Sequence, residues 1–255
     1  MTKVGVSVII LTRNEERNIK DCIESVIDFA DEVLVIDDGS TDETVPISER
    51  LGAKVLSHPL NGDWGQQKNF AMDNATNDWV LLLDADERIS EPLAREIVAA
   101  VSAGEKYTYD MHRENRFRYH KATHGILRPD RVSRLFPKEG SLVEGRVHET
   151  VITPYSLKHL TGPIYHYTYD NWDQYFGKFN NYTRLAAEKS REQGKHATFL
   201  KDIVLRPLWA FIKIYFMNGG FLDGKLGWIF SVNHYFYTMT KYVRLYHLER
   251  TGGKL

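Results

Sequence analysis

Apolar and polar positions along the first hundred residues switch between the periods of strand and helix. Val6 to Leu11 is an apolar run, and Glu16 to Phe29 then carries Ile19, Cys22, Ile23, Val26 and Ile27 at the spacing of a buried helical stripe. Glu32 to Ile36 is a second strand. Ser40-Thr41-Asp42-Glu43 has capping-box spacing and predicts a helix from there to about Leu51, ending before Gly52. A strand over Ala53 to Ser57 and a helix over Gly65 to Ala75 follow. The next run, Trp79 to Leu83, stops abruptly at Asp84, and Ser90 caps a helix reaching about Ala103. Strands alternating with helices at this spacing predict an α/β fold, a parallel, doubly wound sheet with right-handed crossovers.

From Tyr107 to Tyr169 the pattern shortens. Segments such as Tyr107 to His112 and Val132 to Phe136, punctuated by Gly125, Pro129, Pro137, Gly140 and Gly162, predict an antiparallel insertion. Asn171 to Gln193 reads as a helix. After Gly194 come two aromatic-rich segments, Phe199 to Met217 and Gly224 to Leu248, split by Asn218-Gly219-Gly220. The expected organisation is a catalytic domain over 1–195 and a helical extension over 196–255.

Composition narrows the class. With 42% hydrophobic and 26% charged residues, the chain should bury a core and not be disordered. Its one cysteine, Cys22, excludes an intramolecular disulfide framework, suits a reducing compartment and sits in a packing stripe. The chain opens directly into a strand with no signal-peptide core, and no apolar stretch reaches the roughly 20 residues that span a bilayer. The net charge of −1 hides an asymmetry: residues 1–100 hold 9 basic against 20 acidic side chains, residues 101–195 hold 16 against 11, and residues 196–255 hold 8 against 3. The acidic part suits a metal, and the basic parts suit an anionic acceptor or membrane surface.

Candidate chemistry collects where strands end. Asp84-Ala85-Asp86 closes the fourth strand. Carboxylates two apart on extended backbone point the same way, so both can address one hard cation. Thr12-Arg13-Asn14-Glu15 closes the first strand and Asp37-Asp38-Gly39-Ser40 the second. Together they line one edge of a parallel sheet, where open α/β sheets bind ligands. No Gly-x-Gly-x-x-Gly follows any strand and no Gly-Lys-Ser/Thr loop exists, which disfavours a dinucleotide oxidoreductase or a P-loop enzyme. No nucleic-acid-binding motif is present.

Three stretches resemble the inverting family-2 glycosyltransferases of GT-A fold: Val8 to Glu15, Val35 to Asp42 and Leu83 to Glu87. Arg134-Leu135-Phe136, Gly145 to Glu149 and Phe221 to Trp228 further resemble the lipopolysaccharide-core β-glucosyltransferase subgroup. The resemblance implies a mostly parallel Rossmann-like sheet flanked by helices, with an antiparallel insertion and a C-terminal helical extension. It implies a UDP-hexose donor, with Thr12, Asn14, Glu15 and Asp38 near the nucleoside and Asp84 near the diphosphate; Arg134 is a candidate for binding the diphosphate or an anionic acceptor. Lys68 reads either as a base or phosphate contact or as a solvated helix charge. Asp86 with Asp84, and His166 as a third contact, would hold Mg²⁺ or Mn²⁺. Glu149, with His148 adjacent, matches the family's base. Arg128 and Arg131 are further anion-binding candidates.

The expected activity is transfer of glucose from UDP-glucose, with inversion, onto a lipid-linked saccharide such as the lipopolysaccharide inner core. Polyprenyl phosphate and peptide side chains are alternative acceptors. A non-catalytic nucleotide-sugar-binding module is the rival of another class, against which intact Asp84, Asp86 and Glu149 argue. The aromatic and basic residues after 195 suit peripheral docking on the inner face of the cytoplasmic membrane, or equally packing against the catalytic domain or a second subunit, which leaves an oligomer open.

Overall fold

A computed structural model describes residues 3–117, 120–121, 123–146, 149–169 and 171–252. The chain forms two compact units, residues 1–114 with 130–166 and residues 115–129 with 167–255.

The first unit is built on a sheet. Strands β1 (Val4–Thr12), β2 (Ala30–Asp37), β3 (Lys54–Ser57) and β4 (Trp79–Asp84) alternate with helices α1 (Ile19–Glu24), α2 (Thr44–Arg50) and α3 (Trp64–Asn74). They pair in parallel in the order β3-β2-β1-β4. Then come β5 (Glu87–Ile89), α4 (Glu91–Ser102), β6 (Thr108–Phe117), β7 (His120–Lys121), β8 (Asp130–Pro137), β9 (Leu142–Glu144), β10 (Thr150–Ile152) and β11 (Leu157–Tyr169). These extend the sheet as β8-β6-β11-β5, with β8 antiparallel to β4 and β5 antiparallel to β11. β9 and β10 form a separate antiparallel pair. The GT-A-type architecture expected from the sequence is present: a parallel core flanked by helices, with an antiparallel insertion.

The continuous apolar runs follow from burial of both faces of the sheet. Val6, Val8 and Ile10 of β1, Val35 of β2 and Leu81 and Leu83 of β4 enter one core cluster. Their alternates Ile9, Leu11, Leu34, Ile36, Val80 and Leu82 enter the other. Cys22 is fully buried in the first cluster, and that burial pushes its thiol pKa up, as befits a packing residue.

Two expected helices change at their ends. The first is regular only over Ile19–Glu24 and continues as turns to Phe29. The second begins at Thr44, not beside Ser40, and Ser40 caps nothing: its hydroxyl accepts the Asn14 N–H at 2.8 Å. Asp42 takes the capping work instead, accepting the Thr44 N–H at 3.0 Å. A loop between β1 and β2 thus competes for the side chain that the local pattern assigned to a cap.

The second unit is helical. α5 (Trp172–Glu192) starts at Asn171, whose side chain accepts the Gln174 N–H at 2.8 Å. Phe199–Leu205 and Lys213–Met217 wind as π-helix on either side of α6 (Arg206–Ile212), and α7 (Gly224–Arg250) closes the chain. Phe117, Leu127, Tyr175 and Phe230 form one of its cores. Phe199, Leu200, Trp209, Phe216, Met217, Leu222 and Trp228 are exposed. Among the described residues, no helix is long and apolar enough to cross a membrane.

Candidate active site

The site grows from the point where β4 runs out. Asp84 ends the strand, Ala85 and Asp86 turn, and Glu87 enters β5, which must pair with β11 through Ile89↔Ile164, Arg88↔Tyr165 and Glu87↔His166. That turn changes the expected geometry of the two aspartates. On a straight strand they would face the same way, but here the backbone leaves the extended conformation between them. The Asp84 carboxylate accepts from Arg134 on β8 at 2.6 Å, while Asp86 lies 3.4 Å from the His166 imidazole.

Beneath Asp84 lies a buried charge cluster. Glu87 is fully buried and accepts from Arg134 at 2.9 Å, from Arg113 at 3.3 Å and from the Asp84 N–H at 3.1 Å. Arg113 is held a second time by Asp130, at 3.0 and 2.7 Å. Burial alone would raise the Asp84 pKa. The positive charges of Arg134 and Lys68 outweigh it and hold that carboxyl well below the usual range.

Lys68 reaches the same cleft from α3. That helix is seated by Gly65, where a Cβ would lie 2.8 Å from the Gly145 carbonyl, so only glycine permits the approach. Asn69 completes the clamp, exchanging hydrogen bonds with the Val143 backbone at 2.9 and 2.8 Å. One position earlier, the buried Lys68 ammonium is ion-paired to Glu149. Burial acts to raise the Glu149 pKa, but the hydrogen bond and charge of Lys68 prevail and lower it. His148 lies outside the described residues. Lys68, Asp84, Arg113, Arg131, Arg134 and Glu149 line one open cleft of about 490 Å³.

Along the same sheet edge, β1 and β2 end side by side with Thr12 opposite Asp37. Thr12 Oγ1 and Asp37 Oδ1 are buried without a hydrogen-bond partner among the described residues. Buried polar atoms without a protein partner are costly in a folded chain, so water or a ligand's polar groups must complete the bonding there. Asp38 accepts from the Leu60 N–H at 2.7 Å and from Arg13 at 3.0 Å. Asn14 adopts φ +54° and ties the two loops together, its side chain accepting the Thr41 N–H at 2.8 Å. The Glu15 carboxylate accepts from Asn18 at 2.8 Å.

The structure therefore brings Lys68, Asp84, Arg134 and Glu149 into one cleft and sets Asp86 beside His166. Thr12, Asn14, Glu15 and Asp38 lie at the ends of the neighbouring strands. Arg131 lines the cleft but is held by Asp110 at 2.8 Å, and Arg128 precedes β8. Glu87, Arg113 and Asp37 belong to the site without having been singled out for it. Glu87 and Asp37 stood in the sequence only as members of the motifs at the ends of β4 and β2, and Arg113 carried no signal.

Among the described residues, no three His, Cys, Asp or Glu side chains gather into a complete metal cage. Mg²⁺ and Mn²⁺ at phosphate sites need no such cage, because one or two protein ligands suffice and phosphate and water supply the rest. The Asp86 carboxylate with the His166 nitrogen beside it fits that sparse donor set.

A parallel sheet whose carboxyl ends gather acidic and basic side chains above a turn of the Asp-x-Asp type defines a GT-A-type sugar transferase. The model for Glycosyl transferase family 2 matches residues 7–162, and the chain belongs to that family. An uncharacterized glycosyltransferase of Rickettsia typhi is 31% identical over 98% of this chain and 88% of its own length. Lipopolysaccharide core biosynthesis glycosyltransferase LpsC of Rhizobium meliloti is 27% identical over 96% of this chain and 93% of its own. Among solved structures, glucosyl-3-phosphoglycerate synthase from Mycobacterium tuberculosis, in complex with Mn²⁺, UDP and glucosyl-3-phosphoglycerate, is similar at 18% identity. It covers 76% of this chain and 82% of that one, with a TM-score of 0.47.

Proposed function

We propose that this glycosyltransferase moves glucose from UDP-glucose, with inversion, onto a saccharide of the lipopolysaccharide core carried on lipid. The observation that carries the reading is the cleft in which a carboxylate, Glu149, sits against a buried lysine and across from the Asp84–Arg134 pair. The near full-length similarity to LpsC supports the choice of acceptor.

In this reading Glu149 is the general base that takes the proton of the acceptor hydroxyl. Thr12, Asp37 and Asp38 receive the nucleoside, where the orphaned oxygens of Thr12 and Asp37 find partners. Asn14 and Glu15 shape that pocket by fixing its loops. Arg134 and Lys68 face the diphosphate, and their positive charge favours the leaving nucleotide as its negative charge grows. Lys68 has a second effect: engagement by the diphosphate draws it from Glu149, which relieves the lowering of that carboxyl's pKa and makes it a better base. Asp86 and His166 would hold Mg²⁺ or Mn²⁺, which when bound neutralises charge on the departing diphosphate. Glu87 and Arg113 hold Arg134 and Asp84 in place and touch no substrate.

Residues 1–195 carry the transfer, and 196–255 dock the enzyme on the inner face of the cytoplasmic membrane. Exposed Phe199, Trp209, Phe216 and Trp228 interleaved with Lys201, Arg206, Lys213 and Lys225 support the docking. The test of the transfer is proton NMR of the product formed from UDP-glucose and lipopolysaccharide core acceptor with Mg²⁺ or Mn²⁺. A new β-glucoside is expected, with none in EDTA. An α-linked product, or full turnover in EDTA, contradicts inversion or metal use respectively.

A further inference from the structure

The helical unit contains a cleft of its own, about 310 Å³ in volume, that none of the transfer chemistry uses. We propose that it binds a neutral pyranose ring of a saccharide. Its volume lies at the small end of the roughly 300–1,000 Å³ range of ligand pockets. Its walls are aromatic. Tyr169 meets Tyr175 edge to face at 4.9 Å between centroids, and Phe179 meets Tyr237 in the same way at 5.7 Å. The His234 ring lies parallel to Tyr237, 5.9 Å away and inclined by only 4°.

The polar tips on these walls decide the ligand. Tyr169, Tyr182, Tyr237 and His234 all line the cleft, and none of their side chains is hydrogen-bonded to another described residue. The phenols of Tyr169, Tyr182 and Tyr237 lie close enough to act on one another. Burial first, then the neighbouring Tyr182 and Tyr237, push the Tyr169 phenol up to about 12. Burial, then the charge of Lys213, lowers the His234 pKa, so the imidazole is neutral at pH 7. The cleft therefore offers three phenolic hydroxyls and a neutral imidazole on apolar faces.

Each other class of occupant fails on one count. An alkyl chain would leave the four polar tips unpaired in a desolvated setting. A cation would find ring faces but no carboxylate among the lining residues, and it would meet the positive charge of Lys213 that already acts on His234. An anion would find no ammonium or guanidinium among the lining residues: Lys178 sits over the Tyr169 ring at 5.4 Å and donates to the Thr168 carbonyl at 3.0 Å, and Lys213, whose charge reaches His234, does not line the cleft. A pyranose meets both requirements, with its C–H face on the aromatic rings and its hydroxyls on the phenols and imidazole. This site stands apart from the transfer reading, and it holds whichever sugar is transferred.

The test is isothermal titration of the full chain with neutral trisaccharides of glucose, galactose, mannose and heptose, and separately with decanoate and decyltrimethylammonium. The comparison protein is the triple variant Tyr169→Phe, Tyr182→Phe, Tyr237→Phe, which keeps every ring and removes only the hydroxyls. At least one trisaccharide should bind with Kd below about 10 mM, and the triple variant should weaken it at least tenfold. UDP affinity should be unchanged, confirming an intact fold. The proposal is overturned if no trisaccharide binds, if the triple variant binds them equally, or if decanoate or the ammonium probe displaces the sugar more effectively than it is displaced.

Discussion

Glu87 is the residue whose replacement should cost the most stability for the smallest change in shape. It is fully buried and faces Arg134 at 2.9 Å and Arg113 at 3.3 Å. Glu87→Gln keeps the side chain's volume and one acceptor oxygen but removes the negative charge between two guanidinium groups. Removing one partner of a buried pair costs about 3–5 kcal/mol. Here Arg134 keeps Asp84 at 2.6 Å and Arg113 keeps Asp130 at 2.7 Å, so neither cation is left alone. The expected loss is therefore at or below the low end of that range, about 2–3 kcal/mol, which for a chain of this size lowers the melting midpoint by roughly 5–10 °C. Calorimetric scanning of wild type and Glu87→Gln at pH 7 measures it, with Glu91→Gln as control. Glu91 pairs with Arg95 on the exposed surface, and losing such a pair should cost less than about 1 kcal/mol. Equal shifts for the two variants would refute the reasoning that burial, not pairing, sets the cost.

Asp38→Ala should weaken UDP binding by about 1–3 kcal/mol in titration calorimetry, the cost of leaving buried donors unpaired; an unchanged affinity would remove Asp38 from the nucleoside pocket. Asp84, Asp110 and Asp130 all have pKa values below the ordinary 3.8, because Arg134, Arg131 and Arg113 respectively outweigh burial. Their stabilising contribution is complete above that value and drains as pH falls through the depressed folded values, so urea midpoints should fall steeply below pH ~4 and Asp84→Asn should flatten that fall. Binding to anionic vesicles should weaken as salt rises, and changing Lys201, Arg206, Lys213, Lys225, Lys241 and Arg244 to Gln should remove the salt dependence. Equal flotation of both proteins at all salt concentrations would contradict electrostatic docking.

The parallel core was legible because both of its faces are buried, which makes Val8 to Leu11 and Trp79 to Leu83 continuous apolar runs. The start of α2 was not, because Ser40 is claimed by Asn14, 26 positions away in sequence. The same reason hides most of the site's wiring. Lys68 and Glu149 are 81 residues apart, and Arg134 and Asp84 are 50 apart. No local pattern distinguishes such a lysine from a solvated one on a helix face. Gly65 and Asn69, which aim Lys68, look like ordinary helix residues until the Val143–Gly145 segment packs against them. The turn between Asp84 and Asp86 was also hidden, because it is imposed by the pairing of β5 with β11. His166 was suggested by family resemblance alone, and it is the pairing of β5 with β11 that brings it beside Asp86.

The most direct test of the central claim is single-turnover transfer from UDP-glucose by Glu149→Gln. Loss of a general base should slow the chemical step about 10²–10⁴-fold. Donor affinity should not fall, since the amide keeps the carboxylate's shape and no longer competes with the diphosphate for Lys68. A rate within a few fold of wild type would place the base elsewhere, and the same rate with a large loss of UDP-glucose affinity would make Glu149 a donor ligand.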